Sequence, residues 1–212
     1  MHDSSHRKMQ EFVATYLAGM EGTALEIADL GAHAVDGLPA YRTLFARPAW
    51  HYRGLDLQPG DNVDVVLADP YRWSELADAS IDVLVSGQTL EHVEFPWLTF
   101  AEIARALRPG GIACLIAPAS GPEHRYPVDC WRIYPDGMRA LARHAGLREV
   151  EIFTDWHQGR WKDTFAALQK PHSGNAAGDS PFPALGNRDV AARTCAPPAR
   201  KRRGLSSLLR RR

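Results

Sequence analysis

The chain has 212 residues, a length that suits one domain and a tail. Of these residues 45% are hydrophobic and 24% charged, which is a composition typical of globular proteins. No apolar run approaches the roughly 18 residues of a membrane span, and residues 1–8 lack the apolar core of a signal peptide. The widely spaced cysteines Cys114, Cys130 and Cys195 match neither a disulfide framework nor a Cys-x-x-Cys metal site. We therefore expect a cytoplasmic protein.

The net charge of zero hides an uneven distribution of charge. Residues 193–212 contain eight basic and no acidic residues, so residues 1–192 carry 17 basic and 25 acidic residues. This acidic body argues against a broad nucleic-acid footprint, and a nucleic-acid partner is not expected. The basic tail surrounds three leucines, which predicts a weak contact with an anionic membrane surface. The alternative is a disordered end with no partner.

Three regions follow one another along the chain. Residues 1–22 predict an N-terminal amphipathic helix, because apolar residues recur three or four positions apart between Ser4 and Met20. Residues 23–170 alternate short apolar runs with helical patterns and form the predicted domain. Residues 171–212 are rich in Pro, Gly and Ala and end in basic residues, which predicts a disordered tail.

The sequence of residues 23–170 indicates seven strands and two well-marked helices. The strands are expected at residues 24–28, 51–55, 63–67, 81–86, 111–117, 148–153 and 161–168. The helices are expected at residues 96–107, which begin with a proline, and at residues 135–145, which Gly146 follows. This alternation predicts a doubly wound, Rossmann-like α/β fold: a seven-stranded, mostly parallel sheet with helices on both faces.

Acidic and small polar residues end the first four predicted strands. Asp29 follows the first strand, Asp56 the second and Asp69 the third, and Ser86-Gly87-Gln88 ends the fourth. Ligands of open α/β sheets bind beyond the carboxyl ends of the strands. Carboxylates there suit the hydrogen-bond donors of an adenosyl group with an amino group, and they suit a pyrophosphate poorly. The chain also lacks Gly-x-Gly-x-x-Gly, so the pattern favours S-adenosylmethionine over NAD. Asp56 and Asp69 could instead form turns.

Two motifs placed one helix apart carry a family resemblance. Leu90-Glu91-His92-Val93 precedes the predicted helix at 96–107, and Arg105-Ala106-Leu107-Arg108-Pro109-Gly110-Gly111 leads from it into the fifth strand. In this order the motifs resemble those of small class I S-adenosylmethionine-dependent methyltransferases, over roughly residues 25–169. Residues 121–132 are similar to bacterial methyltransferases of polysaccharide or secondary-metabolite pathways.

The resemblance implies that ten residues bind S-adenosylmethionine: Glu26, Asp29, Gly31, Asp56, Asp69, Pro70, Tyr71, Ser86, Gly87 and Gln88. Residues 26–31 would face the methionine part of the cofactor, Asp56 the ribose hydroxyls and Asp69 the adenine amine. Pro70 and Tyr71 would lie near the adenine ring, and residues 86–88 would line the sulfonium. The chain departs from the family where the first glycine of the loop is expected, because Ala28 stands there.

The implied reaction is methyl transfer to a small molecule or a glycan, with a hydroxyl as the expected acceptor. His92 and His124 are the candidate catalytic bases, although each could simply be a polar group beside the cleft. An N-methyltransferase, an RNA methyltransferase recruited by the tail, and a cofactor-binding module without turnover remain alternatives. The departure at Ala28 motivates the last of these.

No metal site is expected, because His124, Asp129 and His144 match no recognised ligand spacing. Cys130 is expected to be an inert thiol. The remaining aromatic residues are expected to pack rather than to form a substrate platform: Tyr126, Trp131, Tyr134, Trp156 and Trp161.

Overall fold

The computed structural model describes residues 3–34, 40–156, 161–174 and 178–186. The basic tail at 193–212, with its expected membrane contact, lies outside these residues, as does Cys195. Among the described residues, no helix combines the length and the hydropathy needed to cross a bilayer.

The described residues form three α-helices and one sheet. The helices are α1 (Asp3–Tyr16), α2 (Pro96–Ala106) and α3 (Pro135–His144). The strands are β1 (Leu25–Leu30), β2 (Trp50–Asp56), β3 (Val65–Val66), β4 (Ile81–Gly87), β5 (Leu107–Ser120), β6 (Arg148–Thr154) and β7 (Lys162–Gln169). Short 3₁₀ helices occupy Tyr41–Phe45 and Leu90–His92.

The seven strands lie in the order β3-β2-β1-β4-β5-β7-β6. All neighbouring pairs are parallel except those that involve β7, which runs antiparallel to β5 and β6. The predicted doubly wound, seven-stranded, mostly parallel sheet is therefore confirmed. The antiparallel direction of β7 brings its first residues, Lys162 and Asp163, beside the carboxyl end of β5.

Two apolar clusters cover the two faces of the sheet. One contains the buried side of α2, with Phe100 and Ile103 fully buried, together with α3. The other contains α1, where Met9 and Phe12 are at most 1% exposed. Helix α1 is therefore part of the core rather than only a leading segment. Every residue of β4 is buried, as expected for the central strand of a sheet covered on both faces.

Strand β1 ends two residues later than the sequence pattern predicts. Ala28 pairs with Arg53 of β2 and Leu84 of β4, so it lies inside the strand. The loop begins at Gly31, which has a φ of +76°. The assignment of the loop's first glycine to Ala28 is therefore wrong, because the buried strand includes Asp29, a residue type that sequence patterns place in turns.

Part of the segment expected to be a disordered tail packs on the domain. Phe182 is 3% exposed and belongs to the same apolar cluster as α1. Ser180 donates its backbone N–H to Pro109 O at 2.7 Å and its hydroxyl to Asp82 Oδ1 at 2.9 Å. Residues 178–186 are thus attached to the sheet by the buried Phe182, the partly buried Leu185 and several hydrogen bonds.

Candidate functional site

The strand order reverses between β1 and β4, which places a crevice at the carboxyl ends of these two strands. Leu30, the last residue of β1, is paired with Ser86 near the end of β4. The hydroxyl of Ser86 donates to Leu30 O at 2.8 Å, and that of Thr89 to the same oxygen at 3.2 Å. Gly31 follows directly, and a Cβ at this position would overlap the Thr89 side chain. The predicted residues Gly31 and Ser86 therefore meet at this crevice.

The amino-terminal end of α1 covers the same edge of the sheet. Ser4 Oγ donates to Asp163 Oδ2 at 2.5 Å, and Lys8 Nζ lies 3.8 Å from that oxygen. Ser5 Oγ lies 2.6 Å from the hydroxyl of Tyr41, which in turn contacts the backbone at Gly87. Sequence reasoning did not assign these residues to the site, because their positions depend on how α1 docks.

Gln88 lies at the centre of this arrangement. Its backbone has a φ of +60°, and its Nε2 donates to Asp163 Oδ1 at 3.3 Å. Its Oε1 is buried and has no hydrogen-bond partner among the described residues. An acceptor atom without a partner costs free energy unless a ligand or water satisfies it. Gln88 therefore presents an acceptor for a ligand.

Asp29 is 2% exposed and accepts a hydrogen bond from the hydroxyl of Tyr52 on β2. Burial raises the pKa of Asp29 to about 7, against the opposing effects of the Tyr52 hydrogen bond and of Arg42. This carboxyl group is therefore part of the packed end of β1, next to the loop that starts at Gly31.

Asp56 ends β2 and connects two loops. Its Oδ1 accepts the backbone N–H groups of Leu57 at 2.7 Å and Gln58 at 3.3 Å, and its Oδ2 accepts that of His33 at 3.2 Å. The turn-forming role that the sequence left open is thus observed. The contact with ribose hydroxyls remains a prediction, and Oδ2 of the partly exposed carboxylate has one lone pair left for it.

Asp69, Pro70 and Tyr71 follow β3 on the surface. Asp69 Oδ1 accepts the backbone N–H of Tyr71 at 2.7 Å, which is again a turn contact. The Tyr71 hydroxyl accepts the backbone N–H of Phe95 at 3.3 Å, and the two rings lie 5.4 Å apart. The structure thus joins this loop to the start of α2.

Glu26 does not reach the carboxyl edge of the sheet. It is the second residue of β1, and its Oε2 lies 2.9 Å from His51 Nδ1 and 3.5 Å from Arg53 Nη2. Its backbone N–H is bonded to Asp82, at the start of β4. The structure therefore places Glu26 with the amino-terminal parts of the strands, away from the other nine predicted cofactor residues.

The two candidate bases meet around a carboxyl group that sequence reasoning had not selected. His92 and His124 are separated by 32 positions, yet their ring centroids lie 4.8 Å apart at 81°. Glu91 Oε1 lies 3.8 Å from His92 Nε2 and 3.9 Å from His124 Nε2. Glu91 is 0% exposed, and neither of its carboxylate oxygens has a hydrogen-bond partner among the described residues. We call these three residues the Glu–His–His cluster.

The Nδ1 atom of each imidazole ring lies near an oxygen atom of the loop after β5. His92 Nδ1 lies 2.6 Å from Val128 O, which fixes this nitrogen as the protonated one. His124 donates its backbone N–H to Asp129 Oδ2 at 2.7 Å, and its Nδ1 lies 3.5 Å from the same oxygen. Arg132 holds Asp129 through hydrogen bonds of 2.5 and 2.7 Å. His144, by contrast, is the last residue of α3 and not a member of the cluster.

Burial controls the charge of the cluster. It raises the pKa of Glu91 to about 8 and lowers that of His92 below its ordinary value. The hydrogen bonds from Arg132 hold the pKa of Asp129 far below its usual range, so Asp129 is ionised at neutral pH. The cluster therefore consists of a fully buried carboxyl group and two imidazoles whose side chains are 13% and 30% exposed, next to an ion pair that does not change its charge.

Aromatic residues surround the cluster. Trp161 lies 4.9 Å from His124, and Tyr126 lies 6.2 Å from His92, between ring centroids. Tyr126 is 67% exposed, Tyr134 52% and Trp131 39%, so these three lie at the surface. Tyr134 stacks on Trp156 with ring centroids 6.2 Å apart, and packing rather than a substrate platform stays the prediction for the set.

The sequence of this chain is similar to known methyltransferases. Residues 23–115 match the family model described as a methyltransferase domain. An uncharacterized methyltransferase of Mycobacterium avium is 34% identical over 127 residues, which are 52% of this chain and 48% of that protein. One of Mycolicibacterium gilvum is 33% identical over 152 residues, 63% of this chain and 53% of that protein. The chain thus spans about half the length of these relatives.

Solved structures with the same fold have low sequence identity. A putative sarcosine dimethylglycine methyltransferase from Galdieria sulphuraria has a TM-score of 0.59 and 18% identity, over 78% of this chain and 86% of that one. The Burkholderia thailandensis 1,6-didemethyltoxoflavin-N1-methyltransferase, solved with bound S-adenosylhomocysteine, has a TM-score of 0.60 and 16% identity, over 80% and 79%. These likenesses show the fold.

Proposed function

We propose that this protein transfers a methyl group from S-adenosylmethionine to a hydroxyl group of a small molecule or a glycan. The observation that carries the proposal is the position of the Glu–His–His cluster. Glu91 and His92 lie on the short 3₁₀ helix after β4, whose end forms one side of the crevice, and His124 lies on the loop after β5. A group that binds or deprotonates an acceptor therefore lies beside the place where this fold binds its ligand.

The residues at the crevice fit the cofactor. Gln88 Oε1 is a buried acceptor without a hydrogen-bond partner in the described part of the chain, suited to a donor such as an amino group. Asp56 is a partly exposed carboxylate at the end of β2, suited to ribose hydroxyls. We assign the loop at Gly31 and the turn at Gly87 to the methionine side of the cofactor, and Asp69, Pro70 and Tyr71 to adenine. S-adenosylmethionine supplies an activated methyl group on a sulfonium.

In this reaction the protein mainly aligns the acceptor with the methyl group and removes the hydroxyl proton. The acceptor oxygen forms a bond to the methyl carbon while the carbon–sulfur bond breaks and its electron pair goes to sulfur. The hydroxyl proton leaves to a base. Because His92 Nδ1 is engaged by Val128 O, its Nε2 carries the free lone pair, which makes it a suitable proton acceptor. His124 Nε2 faces the same point and can take the same role.

Two measurements on the purified chain test the proposal. Calorimetric titration with S-adenosylhomocysteine should show binding, and a panel of hydroxyl acceptors should yield methylated product with labelled S-adenosylmethionine. On an accepted substrate, His92→Gln or His124→Gln should lower turnover by about 10²–10⁴-fold and leave cofactor affinity nearly unchanged. The matched control is His144→Gln, on α3 outside the cluster.

The other outcomes are equally informative. If only amines are methylated, the acceptor atom is a nitrogen and not a hydroxyl oxygen. Binding of S-adenosylhomocysteine without transfer to hydroxyl, amine or RNA acceptors would favour a module that binds the cofactor without turnover. Absence of binding would overturn the proposal as a whole.

A further inference from the structure

We propose that Glu91, His92 and His124 bind one divalent metal ion of the zinc type. The set comprises one carboxylate and two imidazoles, a donor combination found in catalytic zinc sites and in non-haem iron sites. Spacing along the chain did not predict it, because Glu91 and His92 are adjacent on a short 3₁₀ helix while His124 comes from the loop after β5. The fold alone brings the three together.

The ligand atoms are already close to a metal geometry. One donor atom from each residue can be chosen so that all three lie within 4.8 Å of one another. Glu91 Oε1 is 3.8 Å from His92 Nε2 and 3.9 Å from His124 Nε2. Ligands bound at about 2.1 Å around a tetrahedral ion lie about 3.4 Å apart. Small side-chain rotations are therefore enough to close the site.

Both rings present the correct nitrogen. Metal-binding histidines normally direct their second ring nitrogen to a carbonyl or a carboxylate, which fixes the tautomer. His92 Nδ1 contacts Val128 O at 2.6 Å, and His124 Nδ1 lies 3.5 Å from the carboxylate of Asp129. Arg132 in turn holds that carboxylate. The Nε2 atoms of His92 and His124 lie 3.8 and 3.9 Å from Glu91 Oε1.

Glu91 supplies independent evidence that a ligand is expected. Its side chain is fully buried, and neither of its carboxylate oxygens has a hydrogen-bond partner among the residues the structure describes. Buried polar atoms nearly always have a hydrogen-bond partner or a bound ion, so we expect a partner for this carboxyl group. A cation coordinated by Oε1 would provide one. Three protein ligands also leave a coordination position open, which is typical of catalytic rather than structural sites.

The consequence for the reaction rests on the proposed function. A hydroxyl bound at the open position would lose its proton more readily because of the charge of the ion. His92 and His124 would then act as ligands rather than as bases. Metal binding itself does not depend on methyl transfer, so it can be tested separately.

The experiment titrates the chelator-treated full chain with zinc by calorimetry and with cobalt by visible absorption. We expect one ion per chain, and cobalt bands of a four-coordinate site. Glu91→Gln and His124→Gln should each lower zinc affinity at least about tenfold, and Asp129→Asn about 10–100-fold. His144→Gln should leave the affinity unchanged. Circular dichroism checks that each variant is folded. If Glu91→Gln does not fold, His124→Gln still tests the site, because the His124 side chain is partly exposed.

Parallel titrations with S-adenosylhomocysteine separate the two proposals. Cofactor binding without zinc binding would overturn the metal site and leave the proposed function intact. Zinc binding without cofactor binding would do the reverse. Zinc binding that the substitutions at Glu91 and His124 both leave unchanged would place the ion elsewhere and overturn the site.

Discussion

The hydroxyl of Tyr41 occupies the space that a Cβ would fill at Gly87. Tyr41 lies on a 3₁₀ helix, is 1% exposed, and shares a 2.6 Å hydrogen bond with Ser5 of α1. Gly87 is the last residue of β4, directly before Gln88. This contact therefore couples the docking of α1 to the end of the strand that forms one side of the crevice.

Gly87→Ala should destabilise the protein and weaken cofactor binding. The added methyl group would meet both the Tyr41 hydroxyl and Ser5 Oγ, and overpacking of this kind costs about 1–3 kcal/mol. Urea unfolding and calorimetric titration with S-adenosylhomocysteine measure the two effects. Gly22→Ala is the control, since no atom of the described residues lies within 4 Å of a Cβ there. Equal stability of the two variants would contradict the closeness of this contact.

Lys8→Met should be far more destabilising than Arg7→Met. Lys8 is buried, and its Nζ lies 3.0 Å from Asp155 and 3.8 Å from the fully buried Asp163. Removal of one partner from a buried ion pair costs about 3 kcal/mol or more. The Arg7 side chain is 64% exposed at 3.7 Å from Asp155, and such surface pairs contribute less than about 1 kcal/mol. Chemical denaturation of both variants measures the difference, and similar values would show that α1 does not depend on this pair.

The apolar pattern predicted most of the sheet. Strands β4 and β5 are recognisable because each contains a run of mostly apolar residues, at 81–85 and 112–117. The pattern missed the end of β1, because Asp29 is accommodated there by a hydroxyl from the neighbouring strand. Residues 178–186 resembled a linker, and Phe182 and Leu185, which pack against the α1 cluster, are isolated apolar residues without a periodic pattern.

The candidate site could be predicted only in part, because side-chain contacts between distant segments create it. The motif at residues 90–93 indicated His92, and the position of His124 in the loop after the fifth predicted strand indicated that residue. The role of Glu91 depends on its burial and on the absence of a hydrogen-bond partner among the residues that the structure describes, and neither can be read from the sequence. Asp129 and Arg132 likewise acquire a role only once the loop after β5 folds back onto His124.

Asp56→Asn should weaken binding of S-adenosylhomocysteine by about tenfold or more. The substitution keeps the shape and one acceptor oxygen but removes the negative charge, and hydrogen bonds to a charged group contribute about 1.5–3 kcal/mol. Calorimetric titration measures the affinity. The control is Asp61→Asn, at an exposed position in the following loop. If both variants bind as tightly as the wild type, Asp56 only stabilises the turn at the end of β2 and the loop at His33.

Asp29→Asn should change how stability depends on pH. The pKa of Asp29 is about 7 in the folded protein, mainly because of burial, against an ordinary value of 3.8. Between these values the folded state holds a proton that the unfolded state has lost, so this group's contribution to stability decreases as pH rises towards 7. Asparagine can still accept the hydrogen bond from Tyr52, but it does not titrate.

From pH 5.5 to pH 8 the wild type should therefore lose on the order of 2 kcal/mol more stability than the variant. Urea unfolding of both proteins at the two pH values gives this difference. Most other titrating groups are common to both proteins and cancel in the comparison. Arg42 and Asp56, which shift the pKa of Asp29 in opposite directions, are unchanged in the variant. Parallel stability profiles would mean that Asp29 is already ionised at pH 5.5, and that the crevice beside β1 admits more water than its burial indicates.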